Sequence, residues 1–475
     1  MKNITTLVFL LISVASFAKE GYRIQLKLTD KKDSMVYLAH YFGKNFPTIY
    51  KSDSAKLDKN GNAVFEMKEK IVGGIYIVLP SDRNSYFEFL LNDGDNVSIT
   101  ATMNDLPGSI KFKNSPVNED FLKYQMFLIE YGKKQKSLQA ELESAKTNKD
   151  TATVYSKMKE AGKEFTGYRR SYVKENPNTL LASIFNALEI PEVPEGKHYL
   201  PDGKEDSFFA YHYYRNHYWD GFNFKDDRLI HTPILERKLD EYFNKIVPQQ
   251  EDSVIIAADT ILSKMRGSEN LFKFTLNWLS TNAQRTKVMG MDKVFVHLVE
   301  HYYMKGDAFW LGSEELSKYI DRAKDIAPNV INNPAPPFKA VDADGKEQSL
   351  YDFKAKYTLL IFYSPDCGHC ITEVPKVDSV YRAVLKDKGV RVFAFNIDRE
   401  ELKWREFITK HNLYDWLHVW DPNVKSRYWA LYDVKATPSI YLLDEDKVIR
   451  GKKLDHSTIA KALEITEMRE KMGKK

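Results

Sequence analysis

The stretch from Thr358 to Pro375 reads TLLIFYSPDCGHCITEVP and contains the only two cysteines of the chain, Cys367 and Cys370. Its first six residues, Thr358 to Tyr363, are mostly apolar and rich in β-branched and aromatic side chains, which is typical of a buried central strand. The residues after the cysteines follow a helical pattern that contains Pro375, where we expect a kink. The pattern therefore predicts that both cysteines lie where a strand is followed by a helix.

A thiol at the start of a helix ionises more readily than a free thiol, because unpaired backbone N–H groups and the helix dipole stabilise its negative charge. Cys367 occupies that position and is the predicted nucleophile. Cys370 follows one helical turn later, close enough to form a disulfide with Cys367 and directed inward, which suits a resolving thiol. The pair is predicted to cycle between dithiol and disulfide.

The composition and the cysteine spacing argue against several other functions. Two cysteines in 475 residues exclude a framework of structural disulfides, and a zinc site would need two further ligands where no second cysteine pair exists. Haem attachment requires a histidine directly after the second cysteine, where Ile371 stands. The net charge is only +4, so nucleic-acid binding is not indicated.

Residues 1–18 have the pattern of a secretory signal peptide, with a basic start, an apolar run and small residues at a cleavage site. An uncleaved anchor helix is the alternative, although the apolar run is short for a bilayer. No cysteine follows the run, so we do not expect a lipoprotein anchor there. The sequence predicts export to the periplasm, with no transmembrane helix left after cleavage.

Periodicity predicts a multidomain chain. The segments are a β-sandwich-like antiparallel domain at 19–110, an α-helical domain at 111–328, a Pro/Asn-rich linker at 329–338 and an α/β domain at 339–475. Lys59 to Asn62 (KNGN) predicts a β-hairpin in the first domain, and Asp444 to Asp446 predicts one in the last. The aromatic run from Tyr211 to Trp219 is interpreted as part of the core and its polar margin rather than as a ligand groove.

A second motif suggests a different enzymatic function, that of a zinc peptidase. His297 to His301 reads HLVEH, the inverted zinc-peptidase motif, with both histidines one turn apart on a predicted helix. The same residues also fit an amphipathic helix, because Val294, Leu298 and Tyr302 form an apolar ridge. We favour the amphipathic helix, since the motif has no clear third ligand.

The C-terminal segment resembles the thioredoxin fold. The likeness rests on Cys-Gly-His-Cys after a buried strand and on Thr437-Pro438 before the strand that starts at Ser439. The Pro-Pro-Phe sequence at 336–338, the extra segment around 400–420, and Glu373 with Pro375 resemble the TlpA/ResA-like branch of exported thioredoxins. The two domains in front resemble the uncharacterised regions that precede such modules in exported proteins of the Bacteroidetes.

This resemblance implies a protein thiol-disulfide oxidoreductase without a bound cofactor, whose redox group is the Cys367–Cys370 disulfide. Thr437 would pair its backbone with a substrate strand, Pro438 would be cis, and Glu373 would act as an acid near Cys370. Gly368 and His369 would border the substrate site. The implied partners are thiols or disulfides of cell-envelope proteins and an upstream electron donor or acceptor protein.

The histidine between the two cysteines leaves the direction of electron flow open. His369 resembles the intervening histidine of protein disulfide isomerases and would make the disulfide more oxidising, whereas TlpA/ResA-like proteins are often reductants. Asp366 stands where thioredoxins usually place tryptophan, which leaves the substrate preference open. Ile361 stands where they place a buried aspartate, which leaves Glu373 as the better candidate for the acid. From another functional class, the alternative is a partner-binding or scaffold protein of the cell envelope with an incidental dithiol.

Overall fold

The computed structural model describes residues 20–44 and 47–473 of the chain, so the predicted signal segment at 1–18 lies outside the described residues. Contacts divide the chain into two units: residues up to 247 with 260–275, and residues 248–259 with those from 276 onwards. The helical segment contributes to both units, so the domain boundaries predicted at residues 110 and 328 stay predictions. Over the described residues, no helix is both long and apolar enough to cross a membrane.

The N-terminal segment forms two four-stranded sheets around one hydrophobic core. Its strands are β1 (Tyr22–Leu28), β2 (Met35–His40), β3 (Tyr50–Lys56), β4 (Asn62–Met67), β5 (Gly74–Pro80), β6 (Phe87–Leu91), β7 (Asp95–Ala101) and β8 (Lys111–Lys113). The sheet orders are β4-β1-β7-β8 and β3-β2-β5-β6, and inward side chains of both sheets share the core. The predicted sandwich is confirmed, although one pair, β1 with β7, is parallel.

The predicted hairpin at Lys59 to Asn62 is wrong, although the turn is present. Gly61 adopts a positive φ of 80°, which glycine tolerates, but β3 and β4 on either side belong to different sheets. Turn residues specify the local backbone and not the partner strand. Strand β3 was not predicted, because it is an edge strand with mostly exposed side chains and has no apolar alternation.

The middle of the chain is helical, as predicted. Its helices are α1 (Pro116–Ser144), α2 (Asn148–Glu175), α3 (Leu180–Ala187), α4 (Phe209–His217), α5 (Leu235–Glu241), α6 (Glu251–Met265), α7 (Glu269–Arg285), α8 (Met291–Leu298) and α9 (Ser313–Ile326). A π-helical turn, Val299–Tyr303, continues α8, and a 3-10 turn, Ala327–Asn329, continues α9. In the aromatic run Tyr218 and Trp219 are buried, and the residues of α4 before them are half-buried or exposed, which is consistent with a core and its polar margin.

The C-terminal segment forms one mixed sheet with helices. Its elements are β9 (Lys339–Asp342), β10 (Glu347–Ser349), β11 (Tyr357–Tyr363), α10 (Gly368–Val380), β12 (Val390–Asn396), α11 (Glu401–Lys410), β13 (Leu417–Trp420), α12 (Tyr428–Leu431), β14 (Ser439–Leu443), β15 (Ile449–Lys452) and α13 (Ile459–Gly473). The strand order is β10-β9-β13-β12-β11-β14-β15. Strands β11, β12 and β13 are parallel, and β14 and β15 form the antiparallel hairpin predicted at Asp444 to Asp446.

Strand β11 is the centre of this sheet, and all seven of its residues are buried. Leu359, Ile361 and Tyr363 pack on one face together with Cys370, and Leu360 and Phe362 pack on the other. A strand buried on both faces is held rigidly, because every side chain is surrounded by packed neighbours. The cysteines follow directly after the end of this strand.

Candidate active site

Cys367 occupies the N-cap position of helix α10, directly before Gly368. The turn that leads from β11 to the helix is organised by Ser364, whose hydroxyl donates to Asp398 and accepts from the backbone N–H of Asp366. The first backbone N–H groups of a helix have no partner inside the helix, so they point at the N-cap side chain. This placement exposes the Cys367 sulfur to the positive end of α10.

The two thiols differ in exposure. Both are free thiols; Cys367 is half-buried, and Cys370 is fully buried, with 0% of its surface exposed. The Cys370 sulfur accepts a long hydrogen bond of 3.5 Å from the backbone N–H of Ser364. A visiting molecule therefore has access to the sulfur of Cys367 and not to that of Cys370.

The same difference separates their acidities. Burial by itself would raise the pKa of the Cys367 thiol, but hydrogen bonds with the side chain of Thr437 and with the backbone of Cys370 and His369 outweigh it and lower that pKa to about 7. Burial raises the pKa of the Cys370 thiol to about 12. At neutral pH Cys367 is about half ionised, whereas Cys370 keeps its proton.

The loop before β14 faces the nucleophile. The thiol of Cys367 donates to the backbone carbonyl of Thr437 over 3.3 Å, although the two residues are 70 positions apart. The peptide bond between Thr437 and Pro438 is cis, the isomer that the resemblance implies. Proline carries no N–H, so the carbonyl of Thr437 is the backbone group that this bond presents beside the sulfur.

Gly368 and His369 are both exposed at the start of α10. A Cβ added to Gly368 would meet no heavy atom within 4 Å, so the space above this residue is open. Asp366, also exposed, pairs with Lys403 of α11 at 2.8 Å. The surface beside Cys367 is therefore accessible and carries charged and polar side chains.

Glu373 is engaged by a residue that the sequence did not single out. Its side chain is 18% exposed and accepts hydrogen bonds from both the backbone N–H and the ring of His456, at 2.7 and 2.8 Å. Glu373 lies three residues after Cys370 on α10, and residues at this spacing are neighbours on a helix surface. Its predicted role as the acid near Cys370 stays a prediction.

A buried polar chain under the site was also missed by sequence reasoning. Trp404 of α11 donates its indole N–H to the hydroxyl of Tyr363 over 2.8 Å, and that hydroxyl pairs with Nδ1 of His418 at 3.0 Å. The second ring nitrogen of His418 pairs with the carbonyl of Leu413, and burial lowers the pKa of this histidine to about 4. His418 is therefore neutral, and Tyr363 donates to it. A histidine in the middle of a predicted strand was the only signal.

The rival motif has a different geometry. His297 pairs with Asp259 at 2.9 Å, and His301 directs its Nδ1 to the carbonyl of His297 at 3.0 Å. The motif also crosses from α8 into the π-helical turn. Within residues 20–44 and 47–473, no group of three or more His, Cys, Asp or Glu side chains is arranged to hold a metal ion.

Family models cover most of the chain. The AhpC/TSA family model matches residues 331–452. Two further models, both described as domains of unknown function, match residues 22–121 (DUF4369) and 139–329 (DUF5106). The cysteine site thus lies in the AhpC/TSA match, and the segments in front of it match families without a described function.

Similar proteins with described activities match the C-terminal part. The thiol-disulfide oxidoreductase ResA of Bacillus thuringiensis subsp. konkukian is 30% identical over 121 residues, which are 25% of this chain and 68% of ResA. A ResA of Bacillus cereus is 27% identical over 128 residues, 27% of this chain and 72% of ResA.

Solved structures match as well. A thioredoxin-like protein from Bacteroides caccae is 22% identical, with a TM-score of 0.46, over 58% of this chain and 98% of that one. The thioredoxin domain of a thiol-disulfide oxidoreductase from Bacteroides vulgatus is 29% identical, with a TM-score of 0.27, over 29% of this chain and 97% of that one. From the sequence match to ResA, this chain belongs to the ResA-like, thioredoxin-family thiol-disulfide oxidoreductases.

Proposed function

We propose that this protein is exported and exchanges disulfides with partner proteins through Cys367 and Cys370. The observation that carries the proposal is the asymmetry of the pair: an accessible thiol with a pKa of about 7 stands beside a buried thiol with a pKa of about 12. Only the thiolate attacks a disulfide, so the two sulfurs react in a fixed order.

In the reducing direction, the Cys367 thiolate attacks one sulfur of a partner disulfide. A bond forms between Cys367 and that sulfur, the partner's S–S bond breaks, and the partner's other sulfur leaves as a thiolate. Cys370 then loses its proton and attacks Cys367, which forms the Cys367–Cys370 disulfide and releases the second partner thiolate. Two electrons pass from the dithiol to the partner, and the oxidising direction is the reverse.

Thr437 and the exposed start of α10 are the proposed docking edge for the partner. The carbonyl of Thr437 lies 3.3 Å from the Cys367 sulfur, so an extended segment paired with this backbone would bring its disulfide to the nucleophile. Gly368 leaves the approach open, and His369 stands exposed beside it. Glu373, supported by His456, is proposed to take the proton of Cys370.

The direction of electron flow is decided by the reduction potential. His369 and Glu373 act oppositely on the thiolate, because a cationic imidazole stabilises it and a nearby carboxylate opposes it. We expect the potential to lie between the roughly −270 mV of thioredoxin and the roughly −120 mV of a strong oxidant. Equilibration with glutathione buffers measures it.

The test is to trap the intermediate. Replacing Cys370 with alanine removes the resolving thiol, so Cys367 should accumulate mixed disulfides with partner proteins in cells that export the variant. Such adducts should disappear on reduction and should be absent from the Cys367→Ala/Cys370→Ala variant, which is the matched control. If the single variant forms no adducts, the exchange function is wrong and the partner-binding alternative, in which the dithiol is incidental, is favoured.

A further inference from the structure

The segment from Leu431 to Pro438 presents the Thr437 carbonyl to Cys367. The fully buried Tyr432 anchors this segment in the core of the C-terminal sheet, and residues of helix α9 also contact it. Its backbone is irregular: Asp433 adopts a left-handed conformation with φ of 48°, which aspartate tolerates better than most residues. A connection of this kind between α12 and β14 has few backbone hydrogen bonds of its own to fix it. Contacts from neighbouring elements therefore decide its position.

Arg322 of helix α9 contacts this segment directly. Its two terminal nitrogens donate to both carboxylate oxygens of Asp433, at 2.6 and 2.8 Å. The Asp433 side chain is only 4% exposed, and that of Arg322 is 27% exposed. A two-point arginine–carboxylate pair fixes the orientation as well as the distance of its partner, and a mostly buried pair is screened little by solvent.

Two further residues on the same side of this helix contact the same segment. Asp325 pairs with Lys435 at 2.8 Å, and the side-chain amide of Asn329 donates to the carbonyl of Leu431 at 3.1 Å. Residues 322, 325 and 329 are spaced by three and four, which places them along one helical face. Three consecutive contacts therefore run from this face along the segment that leads to Thr437.

The end of this helical face is itself anchored to the sheet. Lys452 of β15, with a side chain 4% exposed, donates to the side-chain oxygen of Asn329 at 2.6 Å and pairs with Asp292 of α8. Asn329 is fully buried. Helix α9 is thus fixed to the sheet edge at one end and to the Thr437 segment along its face.

We propose that Arg322 is a positioning residue for disulfide exchange: through Asp433 it sets the Thr437–Pro438 edge against Cys367, so that the strand of a partner protein docks in register with the nucleophile. The proposal rests on the proposed function and deepens it. It assigns a task to the end of the segment that matches a family of unknown function, because α9 lies before residue 331, where the AhpC/TSA match begins.

The test compares two substrates in the full-length protein. A disulfide-bonded protein such as insulin offers a peptide strand to Thr437, whereas the small aromatic disulfide DTNB offers none. With dithiothreitol as electron source, Arg322→Ala should raise KM for insulin at least about tenfold with kcat within about twofold, because docking and not chemistry is impaired. Because dithiothreitol reduces DTNB directly, this substrate is added to protein that has been reduced beforehand and freed of dithiothreitol, and its single-turnover rate should stay within about twofold.

Arg382→Ala is the matched control, since it removes an arginine of the same domain whose hydrogen bonds go to Asp378, Asp415 and the carbonyl of Asn412. This variant should leave both substrates unaffected. Equal losses in Arg322→Ala and Arg382→Ala, or equal losses with both substrates, would overturn the proposal by showing general destabilisation. An Arg322→Ala protein as active on insulin as the parent would overturn it as well.

Circular dichroism shows whether Arg322→Ala is folded. If it is not, Arg322→Lys serves instead, because lysine keeps the charge but lacks the planar fork that binds both oxygens of Asp433. A folded lysine variant with an unchanged KM for insulin contradicts the proposal, and a raised KM supports it. A failure of the proposed function is distinguishable, because the parent protein itself would then not reduce insulin.

Discussion

Two short motifs in this chain resemble catalytic motifs in the printed sequence, and the structure surrounds them differently. The Cys367 to Cys370 motif begins a helix, faces the carbonyl of Thr437 at 3.3 Å, and leaves one sulfur accessible. The His297 to His301 motif lies where α8 passes into a π-helical turn, and His297 is engaged by Asp259.

The difference lies in the surroundings rather than in the residues themselves. Reactive side chains need a position where their charge is stabilised and a second group that holds the substrate, and the helix start and the Thr437 loop supply both. The histidines instead pair with a carboxylate and a backbone carbonyl. A motif therefore indicates a function only when its neighbours complete it.

Substituting one residue in each motif should produce the largest difference between the two motifs. Cys367→Ser should reduce disulfide exchange to the uncatalysed background, a loss of at least about 10³-fold, because the hydroxyl is a far weaker nucleophile than the thiolate. His297→Ala should leave the rate of disulfide exchange within about twofold of the parent's rate, since His297 takes no part in the proposed thiol chemistry. Insulin reduction measures both. A large loss of exchange in the histidine variant would contradict the account.

The buried chain beneath the site should contribute to stability. Tyr363→Phe removes the hydroxyl between Trp404 and His418 and leaves two buried polar groups unpaired, which costs about 1–3 kcal/mol in free energy of unfolding. Urea denaturation measures this change in the free energy of unfolding, provided that the m-value is the same in both proteins. Tyr357→Phe is the control: its hydroxyl donates to Glu470, which water reaches, so we expect a smaller cost. Equal costs would contradict the importance of the chain.

The smallest effect concerns the rival motif. His297→Ala removes a partly exposed pair with Asp259, which contributes no more than about 1 kcal/mol to the free energy of unfolding. Thermal unfolding of the variant and of the parent measures the difference. A metal-dependent loss of stability in the parent, abolished by this substitution, would show that the histidines hold a metal after all.

Sequence reasoning predicted the local features of this structure. It predicted the buried strand β11, the cysteines after it and the hairpin at Asp444 to Asp446. These features follow from periodicity and turn chemistry within about ten residues, which a single sequence displays.

Sequence reasoning did not identify pairs of residues that are distant in the chain. His456 is 83 positions from Glu373, His418 is 55 from Tyr363, and Asp433 is 111 from Arg322. Each pair depends on which elements pack together, and neither charge nor spacing specifies that. The parallel pairing of β1 with β7 was missed for the same reason, since alternation identifies a strand but not its neighbour.

The central claim is that two cysteines three positions apart have different acidities because one caps a helix and the other is buried. Alkylation of the reduced protein with iodoacetamide from pH 5 to pH 10, followed by mass spectrometry of the peptide that carries both, measures each thiol separately. We predict that Cys367 reacts with an apparent pKa of about 7, so that its rate rises about ninetyfold between pH 5 and pH 8, while Cys370 stays unmodified throughout. If both thiols titrate together with the pKa of a free cysteine, about 8.5, the account is contradicted.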